Sequence, residues 1–215
     1  MHKLNLYFLF ILLISPAIIN AQEGWHKGEL ISNSGTTKSG YVKIAKFGMA
    51  NKEFVKFKTG KKAKVEEIEA SSVKKLIFVD QKSGEKSEFE FVELFEDKVC
   101  CMRVVVRGKV TLYARKKRIN LVGAPTTAGA GTGPTGAMPV GMWGPYSFGN
   151  FNEYFAHRTG EDLPTPLIQV SVSKPFKKKG AEYFKDCPSL KNKIESKEYK
   201  KKDIKEAVEY YNEKC

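Results

Sequence analysis

Short runs of apolar or alternating residues, separated by turn-forming residues, extend from about residue 25 to residue 115. Residues 41–44, 54–58, 76–79 and 88–91 are such runs, and each lies close to a stretch rich in Ser, Gly, Asn or Thr. An alternation of period two places successive side chains on opposite faces of a strand. The pattern therefore predicts an antiparallel β meander, and both an open sheet and a small barrel or roll are compatible with it.

The clearest hairpin is predicted in residues 100–113, where two β-type runs flank Arg107-Gly108. Gly at the second turn position favours a two-residue primed turn. Neighbouring strand residues point to opposite faces. We therefore expect one of Cys100 and Cys101 to be buried and the other exposed, on a face that carries two arginines and meets solvent.

Beyond residue 174 the apolar spacing becomes helical. Asp203 is a typical N-cap residue. It precedes an apolar face at i, i+3, i+4 and i+7, formed by Ile204, Ala207, Val208 and Tyr211. The sequence predicts a helix there, and one or two shorter helices around residues 181–184 and 190–194. The fold class is therefore α+β, with a helical C-terminal segment after the sheet.

An uncharged stretch separates these regions, because residues 119–152 contain no Asp, Glu, Lys or Arg. Its Gly and Pro content makes ordering costly and opposes regular strand pairing, so residues 119–150 are predicted to be a long loop. The second half of the loop is rich in Met and aromatic residues, which either cap the sheet or form a partner surface: Met138, Met142, Trp143, Tyr146 and Phe148. The predicted organisation is a signal peptide at 1–21, β structure at 22–118, the loop, further strands at 151–173 and a helical tail at 174–215.

The N-terminus has the three parts of a secretory signal peptide: a basic start at Lys3, an apolar run over residues 6–14 and the small residue Ala21. The apolar run is far shorter than the roughly 20 residues that a spanning helix needs. We expect export, with no transmembrane segment after cleavage. Because the region of the cut contains no Cys, we also expect no lipid anchor.

Export changes the interpretation of the cysteines, since disulfides form in oxidising compartments. Cys187 and Cys215 bracket the predicted helical tail, and we predict a disulfide between them. A closed loop of this length restrains the unfolded chain by roughly 3.5 kcal/mol. Pairing of Cys215 with another chain, or free thiols, stay open as alternatives.

The chain is strongly basic, with 37 Lys and Arg against 24 Asp and Glu. Residues 22–118 alone carry 22 basic and 13 acidic side chains, a net charge of +9. Most of these lysines alternate with apolar residues and are expected on a solvated sheet face. Clustered lysines and arginines can bind a polyanion, and such clusters lie at residues 61–62, 115–118, 177–179 and 200–202. The expected contacts are Lys61, Lys62, Lys116, Lys117 and Arg118. For an exported protein the expected partner is an anionic lipid or glycan of the cell envelope, or an envelope protein, rather than nucleic acid.

Catalytic and cofactor motifs give little support to an enzyme. The chain has three His, one of them in the signal peptide, which argues against a His-built metal site. Residues 131–136 match the G-x-G-x-x-G string, but Pro and Gly follow where the dinucleotide motif requires a helix. We expect no cofactor, no metal and no catalytic residue.

Several segments together resemble a family of secreted proteins of Bacteroidetes-type bacteria. They are Lys27-Gly28-Glu29-Leu30, Gly40-Tyr41-Val42, Lys109-Val110-Thr111-Leu112-Tyr113, Gly160-Glu161-Asp162-Leu163-Pro164, Tyr183-Phe184-Lys185-Asp186-Cys187-Pro188 and the tail from Tyr210-Tyr211-Asn212 to Cys215. The resemblance implies a cell type and an exported location. It implies no activity and no catalytic residue, and it does not include the adjacent cysteines at positions 100 and 101.

The residues favour a non-enzymatic binding protein, or a protein associated with the cell envelope. One alternative is a small periplasmic hydrolase with dispersed residues, such as His157 near Glu161 or Asp162. Another is a protein–protein interaction module that uses the aromatic half of the uncharged loop.

Overall fold

The computed structural model describes residues 24–47, 52–80, 83–95, 98–115, 152–170 and 175–215. Within these ranges ten strands form one antiparallel sheet. They are β1 (His26–Ser32), β2 (Thr37–Phe47), β3 (Lys52–Lys58), β4 (Glu66–Glu69), β5 (Val73–Val79), β6 (Lys86–Phe95), β7 (Lys98–Val106), β8 (Val110–Arg115), β9 (Glu153–Arg158) and β10 (Thr165–Ile168). The α+β class, with an antiparallel sheet and a helical C-terminal segment, is confirmed.

The strand order is β10-β9-β8-β7-β6-β5-β1-β2-β3-β4, so the open sheet consists of two meanders that meet at β1 and β5. A 3-10 helix (Ala70–Ser72) joins β4 to β5 and carries the chain back beside β1. Turn chemistry ends the strands where the sequence predicts. Before β6, Gly84 has a φ of 73°, and the Asp80 carboxylate accepts a 2.7 Å hydrogen bond from the Ser83 amide.

One face of the sheet forms the first core, which contains side chains from β1, β2, β3, β5, β6 and β7. Its buried members include Leu30, Val42, Val55, Phe57, Leu76, Phe78, Phe89 and Cys101. Strands β3 and β7 are far apart in the strand order, yet both contribute to this cluster. The sheet is therefore strongly curved, because only curvature brings these strands to a common core.

The hairpin between β7 and β8 differs from the prediction. Residues 107–109 connect the two strands, and the register shifts between Val104 and Val106, which is typical of a β-bulge. Both cysteines are buried, with 7% of Cys100 and 5% of Cys101 exposed. The predicted exposure of one cysteine was wrong because β7 is covered on both faces. Cys101 lies in the first core, and Cys100 lies in a second cluster with Met102 and other residues.

Three helices follow the sheet: α1 (Phe176–Tyr183), α2 (Pro188–Glu195) and α3 (Ile204–Lys214). A disulfide joins Cys187 to Cys215, as predicted, with 5.8 Å between the Cα atoms. The predicted apolar face of α3 is buried. Asp203 precedes α3, but its carboxylate accepts a hydrogen bond from the Lys200 amide and so caps the preceding 3-10 turn. No helix in the described ranges is long and apolar enough to cross a membrane.

The helices cover the β8–β10 end of the sheet and bury a continuous apolar cluster. It includes Val110, Leu112, Ala156, Leu167, Phe184, Leu190, Ile194, Ala207 and Val208. Asn212 of α3 bonds both backbone groups of Val110: Oδ1 accepts from the amide at 2.8 Å, and Nδ2 donates to the carbonyl at 2.9 Å. The side chain of Asn212 therefore supplies the pair of bonds that a neighbouring strand would make.

Arg158 provides a second link between the sheet and the helical unit. Its Nη2 donates to the Tyr183 carbonyl at 3.0 Å and to the Asp186 carboxylate at 3.1 Å. The guanidinium lies 5.1 Å from the ring centroid of Tyr183 and 5.2 Å from that of Tyr211. The Tyr211 hydroxyl donates to Asp186 at 2.6 Å. Charge-assisted bonds and cation–π contacts thus fix the helices to the end of β9.

Candidate functional site

Lysine and aromatic side chains share one face at the end of β1, β2 and β3. Tyr41 of β2 lies opposite both Lys27 of β1 and Lys58 of β3, and directly opposed residues of antiparallel strands point to the same side. Trp25 precedes β1, and its ring lies against Lys58 on this face. We call this region, together with the loop between β3 and β4, the lysine–aromatic surface. Its members are Trp25, Lys27, Tyr41, Lys58, Lys61, Lys62 and Lys64.

Lys58 is the buried centre of the lysine–aromatic surface, with 7% of the residue exposed. Its Nζ lies 4.3 Å from the ring centroid of Trp25 and 5.8 Å from that of Tyr41, and it donates to the Lys61 carbonyl at 3.1 Å. Aromatic faces attract a cation through their quadrupole without neutralising it. Lys58 therefore fixes the start of the β3–β4 loop.

Two of the three carboxylates of β4 are bound by lysines that lie outside this surface. Glu66 pairs with Lys38 at 2.8 Å, and Glu67 pairs with Lys56 at 2.7 Å. Among the described residues, no ion pair involves Lys58 or the exposed loop lysines, which are Lys61, Lys62 and Lys64. Four adjacent positive charges therefore remain on one end of the sheet.

Of the predicted polyanion contacts, Lys61 and Lys62 lie exposed on this loop. Lys116, Lys117 and Arg118 lie outside the described residues, as do all five Met and aromatic residues of the predicted partner surface. Trp25, Tyr41 and Lys58 were not predicted from the sequence. A lysine next to an aromatic residue is a weak signal in a chain this basic, and only the strand register brings these three positions together.

A separate polar cluster lies on the face of the sheet that carries Cys100. The Arg107 guanidinium binds Glu88 at 2.6 Å and also binds Glu90, and the Tyr113 hydroxyl donates to Glu90 at 2.9 Å. Burial raises the pKa of Tyr113, and the nearby charge of Glu90 raises it further. Burial opposes ionisation of Glu88, but bonds from Arg107 and Lys75 outweigh it and hold the pKa of Glu88 below its ordinary value.

A cavity of about 270 Å³ adjoins this cluster, and its lining includes Lys74, Glu90, Tyr113, His157, Asp162 and Pro164. His157 Nε2 lies 2.8 Å from the Glu161 carbonyl oxygen, which can only accept, so Nε2 carries the hydrogen and Nδ1 is left as an acceptor in the neutral imidazole. Within the described residues, no hydrogen bond joins the Glu161 carboxylate to this imidazole. The carboxylate accepts instead from the Arg158 amide and the Tyr183 hydroxyl, each at 3.0 Å.

The carboxylate of Glu153 has a structural role. Glu153 is fully buried and pairs with Arg115 at 2.6 Å. Arg115 also lies over the Phe155 ring and contacts the Cys100 sulfur at 3.3 Å. In the described part of the chain, no group of three His, Cys, Asp or Glu side chains is arranged to hold a metal ion.

Comparison of the chain with protein-family models, with curated proteins and with solved structures found no match.

Proposed function

We propose that this chain is an exported, non-enzymatic binding protein that attaches to an anionic component of the cell envelope through the lysine–aromatic surface. The observation that carries the proposal is the group of lysines without ion pairs beside Trp25 and Tyr41. The predicted signal peptide and the disulfide between Cys187 and Cys215 support an oxidising, exported location.

Ion pairing distinguishes the lysines of this surface from several others on the sheet. Elsewhere on the sheet lysines pair with glutamates, for example Lys75 with Glu88 and Lys86 with Glu29. Paired charges largely cancel at a distance, whereas neighbouring unpaired lysines add to one positive potential. In physiological salt that potential extends about 8 Å, so it acts on an anionic surface close to the loop.

The proposal is tested by binding of the purified protein to isolated cell envelopes at low and high salt. The variant K61Q/K62Q removes two exposed charges of the surface, and K201Q/K202Q removes two exposed lysines of the helical unit as a matched control. We expect salt-sensitive binding that K61Q/K62Q weakens strongly and K201Q/K202Q leaves largely unchanged. Binding that persists at molar salt, or that both double variants weaken equally, would contradict the proposal.

The cavity beside His157 supports the hydrolase alternative, because His157 and Asp162 both line it and the Glu161 carbonyl holds the imidazole. A screen with small ester and glycoside substrates tests it. Hydrolysis that His157→Ala abolishes without loss of stability would favour the enzyme. Activity that is unchanged in this variant would remove the cavity from consideration as a catalytic centre.

A further inference from the structure

We infer that the anionic component is the headgroup surface of an anionic lipid membrane, with the β3–β4 loop facing the lipid and Trp25 close to the interface. This inference rests on the proposed function, since it specifies the partner of the same lysine–aromatic surface. It concerns peripheral binding through side chains on one end of the sheet.

The shape of the surface favours a membrane as the partner. Lys61, Lys62 and Lys64 are exposed on the loop between β3 and β4, where the chain turns between two strands. Sites for individual sugars are concave and contain several polar groups that fix the ligand's orientation. The cavity of about 270 Å³ lies at His157, on other strands. Flexible ammonium groups on an exposed turn instead match a surface that presents many equivalent phosphates.

The mixture of charged and apolar side chains on the surface also favours a membrane. Val65 follows the loop lysines and is 41% exposed, which is high for a large apolar side chain. Trp25 is partly exposed on the same face, and its ring packs against Lys58. Tryptophan prefers the membrane interface, because its ring is apolar and its N–H is polar. Lysine stems can lie along apolar surface while their ammonium groups reach phosphate.

Hydrogen bonds hold the β3–β4 loop in position before it meets a ligand. Lys58 bonds the Lys61 carbonyl, and the Ala63 amide donates to the Gly60 carbonyl at 3.2 Å. A preorganised turn loses less entropy on binding than a disordered segment of the same charge. The three exposed lysines of the turn therefore present their charges together.

The charge of each lysine sets the size of the expected effect. A lysine near an anionic membrane strengthens binding about fivefold. The double variant K61Q/K62Q should therefore weaken binding to anionic vesicles by about 25-fold. Adding Lys64→Gln should weaken it about fivefold more.

The experiment uses the fluorescence of Trp25. The chain contains two tryptophans, so Trp143→Phe leaves Trp25 as the only one. This protein is titrated with vesicles of phosphatidylglycerol and phosphatidylcholine, with vesicles of phosphatidylcholine alone, and with polygalacturonate as a soluble acidic polysaccharide. Cosedimentation of the unmodified protein and of the variants K61Q/K62Q and K201Q/K202Q is measured in parallel.

The inference predicts salt-sensitive binding to the phosphatidylglycerol vesicles, a blue shift of Trp25 emission, and a loss specific to K61Q/K62Q. Binding to polygalacturonate through the same two lysines, without binding to vesicles, would overturn the lipid inference and leave the proposed function intact. If neither probe binds in a manner that depends on Lys61 and Lys62, both the inference and the proposed function are overturned.

Discussion

Replacing Asn212 with alanine should weaken the attachment of the helical unit to the sheet. The side-chain amide of Asn212 bonds the amide and the carbonyl of Val110, a residue 102 positions earlier that is completely buried. Alanine keeps the helix propensity of α3 but removes both bonds. The amide and the carbonyl of Val110, a buried residue, would then lose this partner.

The magnitude follows from these two bonds. A hydrogen bond between neutral groups contributes about 1 kcal/mol net, and a buried backbone group left without a partner costs about 1 to 3 kcal/mol. We therefore expect Asn212→Ala to lower the free energy of unfolding by about 2 to 4 kcal/mol. For a chain of this size, such a loss corresponds to a fall in Tm on the order of 5 to 15 °C.

Two further variants separate the hydrogen bonds from general packing. Asn212→Asp keeps an acceptor for the Val110 amide but places a second acceptor against its carbonyl, so it should also destabilise the protein. Gly108→Ala perturbs the same contact from the β7–β8 turn. A Cβ at Gly108 would lie 2.4 Å from Cγ of Asn212 and would displace the side-chain amide. This variant should destabilise the protein although the asparagine is unchanged.

Urea unfolding followed by circular dichroism measures these losses in the oxidised protein, and hydrogen exchange reports on the Val110 amide directly. A loss below about 0.5 kcal/mol for Asn212→Ala, the range of an ordinary surface substitution, would refute the argument. Unchanged protection of the Val110 amide in that variant would refute it as well.

The remaining predictions concern the disulfide and the acid stability of the helical unit. Replacing Cys187 and Cys215 with serine should cost about 3.5 kcal/mol of stability in urea unfolding, and a denaturation curve that reduction of the native protein does not shift would contradict this. Burial raises the pKa of Asp186, but the Tyr211 hydroxyl and Arg158 outweigh it and hold this pKa below its ordinary value. The ionised Asp186 therefore stabilises the fold fully above about pH 4 and loses its effect as the pH falls through the lowered pKa. Asp186→Asn should flatten the acid limb of the stability curve, and an acid limb identical to that of the native protein would contradict the assignment.

Local patterns in the sequence predicted most of the secondary structure correctly. The apolar face of α3 was predicted residue by residue, because helical periodicity depends only on neighbours three and four positions apart. The partners of the disulfide were also predicted, since two cysteines bracket a compact helical unit. Turns such as the one at Gly84 need a specific backbone conformation, and few residue types provide it.

Strand β4 was missed for a physical reason. Its four residues include three glutamates, which do not resemble a core strand. β4 lies at the edge of the sheet, where a short and highly charged strand resists pairing with another molecule. Only the contact with β3 reveals that Glu66 and Glu67 serve as partners for lysines.

The candidate site was also predicted only in part from the sequence. Lys61 and Lys62 were identified from their charge alone, whereas Trp25, Tyr41 and Lys58 belong to three different stretches of sequence. Their proximity depends on the register of β1, β2 and β3, and no local pattern contains that information.

The sequence by itself determined the fold class, the helical face, the principal turns and the basic charge of this protein. These properties depend on residue type and on neighbours within one or two turns of the chain. The tertiary structure decided that both Cys100 and Cys101 are buried. It also decided that Glu161 binds Tyr183 of α1, and which lysines lack an ion pair. Burial and ion pairing are properties of contacts between distant segments, so they exist only once the curved sheet and the docked helices have brought those segments together.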